Sequence, residues 1–322
     1  LLSLSFLPSI LYRITCKGLS NLMKALLKTV DIPSHYCEIS MREKALYKDF
    51  TNVSQTDHAI LFVPLANDSI WLECTSQTLP FGFVHDDIAG HDALVITENG
   101  GILRRLPSYT DHQNRKVSTL TIDIAENGTA KGKVSFTENL HGYAASSKYY
   151  ITSNNRERMV EYVNKNIILP KIQVDNLKSK EDRSALPSCE LEADFSVTDF
   201  ASKTGTRLFI PICPLNKGNY NIFTSNKREQ DILIKYGFSE SDSILINIPE
   251  SHIPESLPKD ISIRTSFGTL DTQIKMEGNK IVYIQNIEIF SGKYDKAKYE
   301  EIKAFFAEIT SATKRKFVLR KS

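Results

Sequence analysis

At 322 residues the chain is long enough for two or three domains with cores of their own. Hydrophobic residues at 41% and charged residues at 24% are ordinary for a globular protein, and a net charge of +2 gives no electrostatic reason to expect nucleic acid or an anionic membrane as a partner. Five widely spaced cysteines (Cys16, Cys37, Cys74, Cys189, Cys213) contain no CxxC pair, which argues against a zinc site and against a disulfide framework.

No stretch reaches the roughly 20 apolar residues that a bilayer span requires. The opening run from Leu1 to Leu11 is apolar, but it has no basic leader and no small-x-small cleavage site, so no signal peptide is visible. Residues 1–15 carry Leu1, Leu2, Leu4, Phe6, Leu7, Ile10, Leu11, Tyr12 and Ile14, interrupted by Pro8 and serines. This composition predicts an irregular or loosely docked segment, the entry to a domain that the chain joins part-way.

Residues 18–30 predict a helix, with Leu19, Leu22, Met23, Leu26, Leu27 and Val30 on its inner stripe and Asp31-Ile32-Pro33 as its stop. Strands are predicted at 34–40, 58–63 and 69–75. A Gly- and Asp-containing loop over 82–92 then leads to a strand near 93–97 and a turn at Asn99-Gly100-Gly101. Beyond Pro107 alternation takes over, with a hairpin turn at Glu126-Asn127-Gly128, a helix over Arg156–Asn166 capped by Asn154 or Asn155, and further strands at 189–200 and 207–212. The last hundred residues predict strands at 243–248, 260–267, 269–276 and 280–290. A helix over 295–312 turns Tyr299, Ile302, Phe305, Phe306 and Ile309 inward, and Lys314–Lys321 adds a final edge strand.

Three residues carry chemistry. Cys16 opens the first helix, where the dipole and the free amides favour an ionised, nucleophilic sulfur. His58 opens an apolar strand, and Glu73 lies on the strand after it. A turn centred between Leu65 and Ala66 would place His58 and Glu73 across from each other on one face, with Trp71 beside them. A turn at Asn67-Asp68 would instead set His58 opposite Gln77. Proline's poor fit to a ladder favours the first. The stretch His85-Asp86-Asp87-Ile88-Ala89-Gly90-His91-Asp92 is rich in metal-ligand types but lacks a spacing that selects a geometry, so a solvated loop is expected there.

Cys16-Lys17-Gly18-Leu19-Ser20-Asn21-Leu22-Met23-Lys24-Ala25-Leu26-Leu27 resembles the nucleophile helix of bacterial transglutaminase-like proteins. Asp57-His58-Ala59-Ile60 resembles their histidine strand, and Ile70-Trp71-Leu72-Glu73-Cys74-Thr75-Ser76-Gln77 with Pro80-Phe81-Gly82 their acidic strand and turn. The most similar subfamily sets this core between two domains of unknown function, and Arg207-Leu208-Phe209-Ile210-Pro211 and Gly292-Lys293-Tyr294 resemble its C-terminal extension. The resemblance implies an α+β fold. Residues 1–107 would form a partial transglutaminase-like, papain-like core with the nucleophile helix on an antiparallel sheet. Residues 108–322 would form β-sandwich-like modules, with a division into 108–224 and 225–322 left open.

The resemblance also implies roles: Cys16 as nucleophile, His58 as general base and acid, and Glu73 orienting the imidazole. The activity implied is thiol-dependent acyl transfer or amide hydrolysis on a protein or peptide substrate, with no cofactor or metal, in a periplasmic or envelope setting. Where the family has Gly-Asp before the cysteine, this chain has Ile14-Thr15, and the core helices that precede the nucleophile helix in the family have no counterpart here. The expectation is therefore a truncated core with lowered activity. The alternative is a non-catalytic envelope binding or scaffold protein with a degenerate core.

Overall fold

The computed structural model describes residues 15–42, 44–50, 52–76, 79–144, 148–216 and 227–322. The protein is mixed α+β, mostly strands in several sheets with few helices. It divides into two compact units, Leu1–Tyr109 with Arg183–Pro187, and Thr110–Asp182 with Ser188–Ser322. The expectation for residues 1–14 lies outside the described residues.

The first unit contains helix α1 (Cys16–Lys28) and strands β1 (His35–Ile39), β2 (His58–Pro64), β3 (Ser69–Leu72), β4 (Asp92–Thr97) and β5 (Gly100–Arg105). The strands form one antiparallel sheet in the order β3-β2-β1-β4-β5. Thr15, in extended conformation, caps the start of α1, and its carbonyl accepts from the Leu19 amide at 3.0 Å. At the other end Asp31 adopts a left-handed φ of 59° just before Pro33, which closes the helix.

Strand alternation puts Cys37, Ile39, Ile60, Trp71 and Val95 in one buried cluster, together with Val84 and Ile88. Leu61, Val63 and Leu72 form a second cluster, joined by Leu27 of α1. The loop expected to be solvated is instead core, since Phe83, Val84, Ile88 and His91 are buried. The apolar stripe of α1 is also displaced from its expected role. Leu22, Met23, Leu26 and Val30 are exposed, while Ser20 is fully buried and donates its hydroxyl to the Ala59 carbonyl at 3.0 Å. A serine small enough to approach a strand carbonyl sets the contact face, and the larger side chains rotate off it.

In the second unit the chain continues through β6 (Arg115–Ile124), β7 (Ala130–Asn139), helix α2 (Arg156–Asn166), β8 (Gln173–Asp182), β9 (Ser188–Val197), β10 (Ser202–Thr204), β11 (Arg207–Pro211) and β12 (Ile232–Ile234). There follow β13 (Phe238–Asn247), β14 (His252–Ser256), β15 (Ile261–Thr265), β16 (Gly268–Glu277), β17 (Lys280–Ile289), β18 (Gly292–Tyr294), α3 (Tyr299–Thr313) and β19 (Lys316–Lys321). Eight strands form one sheet in the order β15-β16-β17-β13-β6-β7-β9-β8, antiparallel except for the parallel β13–β6 pair. The sheet therefore draws strands from both sides of residue 224.

The β6–β7 turn uses Gly128 at φ +87°, and a Cβ there would lie 2.8 Å from the Ala201 carbonyl oxygen. Asn155 caps α2 by accepting from the Arg158 amide at 3.2 Å. α3 buries Tyr299, Ile302, Phe305, Phe306 and Ile309 against Leu270, Ile287 and Ile289. β19 is not an edge strand, because β11 and β14 flank it in a sheet ordered β10-β11-β19-β14 and bury Phe317 and Leu319.

The chain's single tryptophan, Trp71, sits in the first unit, so its emission reports that unit alone. Ile302→Ala, at a fully buried site in the second unit, is expected to cost about 2–5 kcal/mol. Leu26→Ala, at an exposed site, should cost no more than about 0.5 kcal/mol. In urea, Ile302→Ala should move the far-ultraviolet circular dichroism transition and leave the Trp71 transition in place; if both move together, the units do not fold independently.

Candidate active site

The β2–β3 connection sets the site. Its turn runs from Leu65 to Asp68, with the Leu65 amide donating to the Asp68 carbonyl at 2.9 Å, and the ladder pairs Leu61 with Leu72 and Phe62 with Trp71. This register lies between the two considered from the sequence. Continued past its last pair, it sets Thr75 rather than Glu73 across from His58. The slip is by two residues, so the face is preserved, and Glu73 becomes the diagonal neighbour of His58. Strand pairing stops at Leu72, and Glu73 is free to turn its carboxylate onto the imidazole.

His58 Nε2 lies 2.7 Å from Glu73 Oε2, with both side chains buried. A carboxylate only accepts, so Nε2 carries the proton and Nδ1 is left for another partner. Cys16, at the first position of α1, is the other group that acts on the His58 ring, favouring its charged form in the same sense as Glu73. The structure thus brings together Cys16, His58 and Glu73, from a helix start, a strand start and a strand end.

The carboxylate is held from three further directions. Thr75 donates its amide (2.8 Å) and its hydroxyl (2.5 Å) to Glu73 Oε1. His85 Nε2 lies 3.4 Å from Oε2, the oxygen that takes His58. His85 and Thr75 were not singled out as site residues from sequence. Pro80-Phe81-Gly82 was the local sign: Gly82, at φ +74°, turns the chain back so that His85 reaches Glu73.

Burial alone would push Glu73 up, but the hydrogen bonds from His58, His85 and Thr75 outweigh it and hold the carboxyl far below the usual carboxylate range. Burial disfavours a charged His58, yet the hydrogen bond and charge of Glu73, with Cys16 adding in the same direction, leave the imidazole above its ordinary value. His85 shifts the same way: burial opposes its charge, and Glu73, Asp87 and Asp86 favour it. Cys37, by contrast, is a buried core thiol pushed up to about 12 by desolvation. Among the described residues no cysteine is in a disulfide.

His85, Asp86 and Asp87 each bring a ligand atom within 4.8 Å of the others. Proximity is the whole of the case for a cation there, since Glu73 already engages His85 and Asp87 is exposed. Among the described residues no helix is long and apolar enough to cross a membrane.

A family described as a domain of unknown function with a solved structure, DUF3858, matches residues 206–319, in the second unit. No curated protein matches this chain. A crystal structure from Parabacteroides distasonis ATCC 8503, of a protein provisionally described as a protease, is similar over 94% of this chain with a TM-score of 0.51 and 10% sequence identity. At that identity the likeness is one of fold. The chain spans 43% of the length of that structure.

His58 and Glu73 titrate with opposite signs. The raised His58 contributes stability that is complete below its unfolded value of about 6.5 and fades as pH rises through its folded value. The lowered Glu73 contributes stability that is complete above about 4.5 and fades as acid titrates it. The pair therefore stabilises most between these two limits. Glu73→Gln should lower the urea midpoint of the Trp71 transition more at about pH 5.5 than at about pH 9, and should bring the His58 ring titration, followed by NMR, downward. A titration unmoved by the substitution would show that Glu73 does not set the state of His58.

Proposed function

We propose that the protein is a transglutaminase-like thiol enzyme that transfers or hydrolyses acyl groups at amide bonds of protein or peptide substrates, with Cys16, His58 and Glu73 as its catalytic set. The observation that carries this reading is the buried relay in which Glu73 holds Nε2 of an imidazole whose ring also meets Cys16. The likeness in fold to a protein provisionally described as a protease is in keeping with it.

The chemistry follows from the placement of the protons. The Cys16 sulfur, having passed its proton to His58 Nδ1, adds to the substrate carbonyl carbon. The tetrahedral intermediate collapses to a thioester as His58 returns that proton to the departing amine. Water or a second amine then attacks the thioester with His58 as base, and Cys16 is released. Glu73 keeps the proton on Nε2 and favours the imidazolium that forms in each half-reaction. His85 and Thr75 fix the carboxylate, which limits its freedom to follow His58 out of line.

Turnover is best sought with a mixture of acyl-peptide amides analysed by mass spectrometry, with and without a primary amine such as putrescine. Cys16→Ala should abolish turnover, and His58→Ala should lower it by about 10²–10⁴-fold. A product carrying the amine would mark transfer, and its absence hydrolysis. Turnover that survives Cys16→Ala would overturn the assignment.

A further inference from the structure

The β1–β2 connection, residues 40–57, is long for two adjacent antiparallel strands, and it encloses a cavity of about 490 Å³. The cavity is lined on one side by Ala45, Leu46, Tyr47 and Phe50 and on the other by polar side chains, among them Arg42 and Asp57. Two aromatic side chains there face solvent, Tyr47 at 77% exposure and Phe50 at 60%. Leaving large apolar groups in water forgoes burial energy, and such groups at a concave site mark a surface made to be covered.

The loop that carries them is fastened in place. Gln55 takes the Tyr47 amide at 2.7 Å and donates to the Tyr47 carbonyl at 3.3 Å and the Phe50 carbonyl at 2.5 Å. The Leu46 amide donates to Asp92 Oδ2 at 3.2 Å, and the Met41 amide to Asp57 Oδ1 at 2.8 Å. The aromatics are displayed by a backbone tied down on both sides.

The cavity wall reaches the proposed catalytic set along the chain, at Asp57. Asp57 is bonded in sequence to His58, so their Cα atoms lie about 3.8 Å apart. On β1, Glu38 receives Lys17, the neighbour of Cys16, at 4.0 Å. Ser40, just past the end of β1, follows Glu38 by two residues, about 7 Å along the chain. An extended peptide advances about 3.3–3.6 Å per residue, so a step of about 7 Å corresponds to two residues of a bound substrate. The charged pair in the cavity wall, Arg42 Nε to Asp57 Oδ2 at 3.1 Å, is self-neutralising and favours an uncharged occupant.

We propose that this cavity is a specificity subsite that takes a large apolar or aromatic side chain of the acyl substrate, with Tyr47 and Phe50 closing over it. The inference rests on the catalytic reading of Cys16. Two chloromethyl ketones with the same warhead test it: the tosyl-phenylalanyl compound and its tosyl-glycyl counterpart, with alkylation followed cysteine by cysteine by mass spectrometry. The phenylalanyl compound should label Cys16 at least about tenfold faster than the glycyl one. In the double variant Tyr47→Ser/Phe50→Ser that ratio should fall towards one, with the glycyl rate unchanged and the native Trp71 emission retained. A wild-type ratio near one, or a ratio that the double variant keeps, would overturn the subsite. If neither compound prefers Cys16 to Cys74, and His58→Ala changes nothing, the catalytic reading itself falls, which is a different outcome from loss of the aromatic preference alone.

Discussion

The first unit is organised around one buried carboxylate. Glu73 is almost wholly out of water, and an ion there is tolerable only when its lone pairs are taken. Oε1 is occupied by the amide and hydroxyl of Thr75, and Oε2 by His58 and His85. The donors come from three stretches of chain, so the carboxylate ties the β2 start, the β3 end and the loop after Gly82 into one piece. The loop is then committed to the core, with Val84 and Ile88 packed beside Trp71 and Ile60.

This accounts for what was legible in the sequence. The helix and the strands follow from periodicity, because that signal is local, whereas the grouping of Cys16, His58 and Glu73 rests on residue type and on the family resemblance. The strand register did not follow, since Leu65-Ala66-Asn67-Asp68 contains no glycine or proline that selects one turn over its neighbours. The error was of even length, which leaves the side-chain face intact. An odd slip would have sent Glu73 to the opposite side of the sheet.

Other features were hidden because they depend on contacts between distant segments. His85 belongs to a loop whose Asp and Gly content reads as solvent-facing, and only the fold around Gly82 reveals that its imidazole is needed by a buried anion. The stripe on α1 was drawn from apolar spacing, whereas the helix docks through Ser20, a residue that a hydrophobic pattern passes over. Likewise β19 carries a lysine-rich sequence typical of an edge, yet it lies between β11 and β14 because Phe317 and Leu319 are needed inside.

The parallel contact of β13 with β6 has a kinetic meaning. Ile244 lies beside Leu120, and Ile246 beside Ile122, across more than a hundred residues of intervening chain. Within the eight-stranded sheet, the strands on the β15 side of that seam join those on the β8 side through this one pairing. Hairpins such as β6–β7 and β16–β17 can form early from local contacts, but the seam must await closure of a very long loop. During synthesis the β6 flank stays open until residue 247 has left the ribosome, exposing an apolar, unpaired edge for the duration. The rate at which this sheet matures, and its tendency to associate wrongly while immature, depend on that junction.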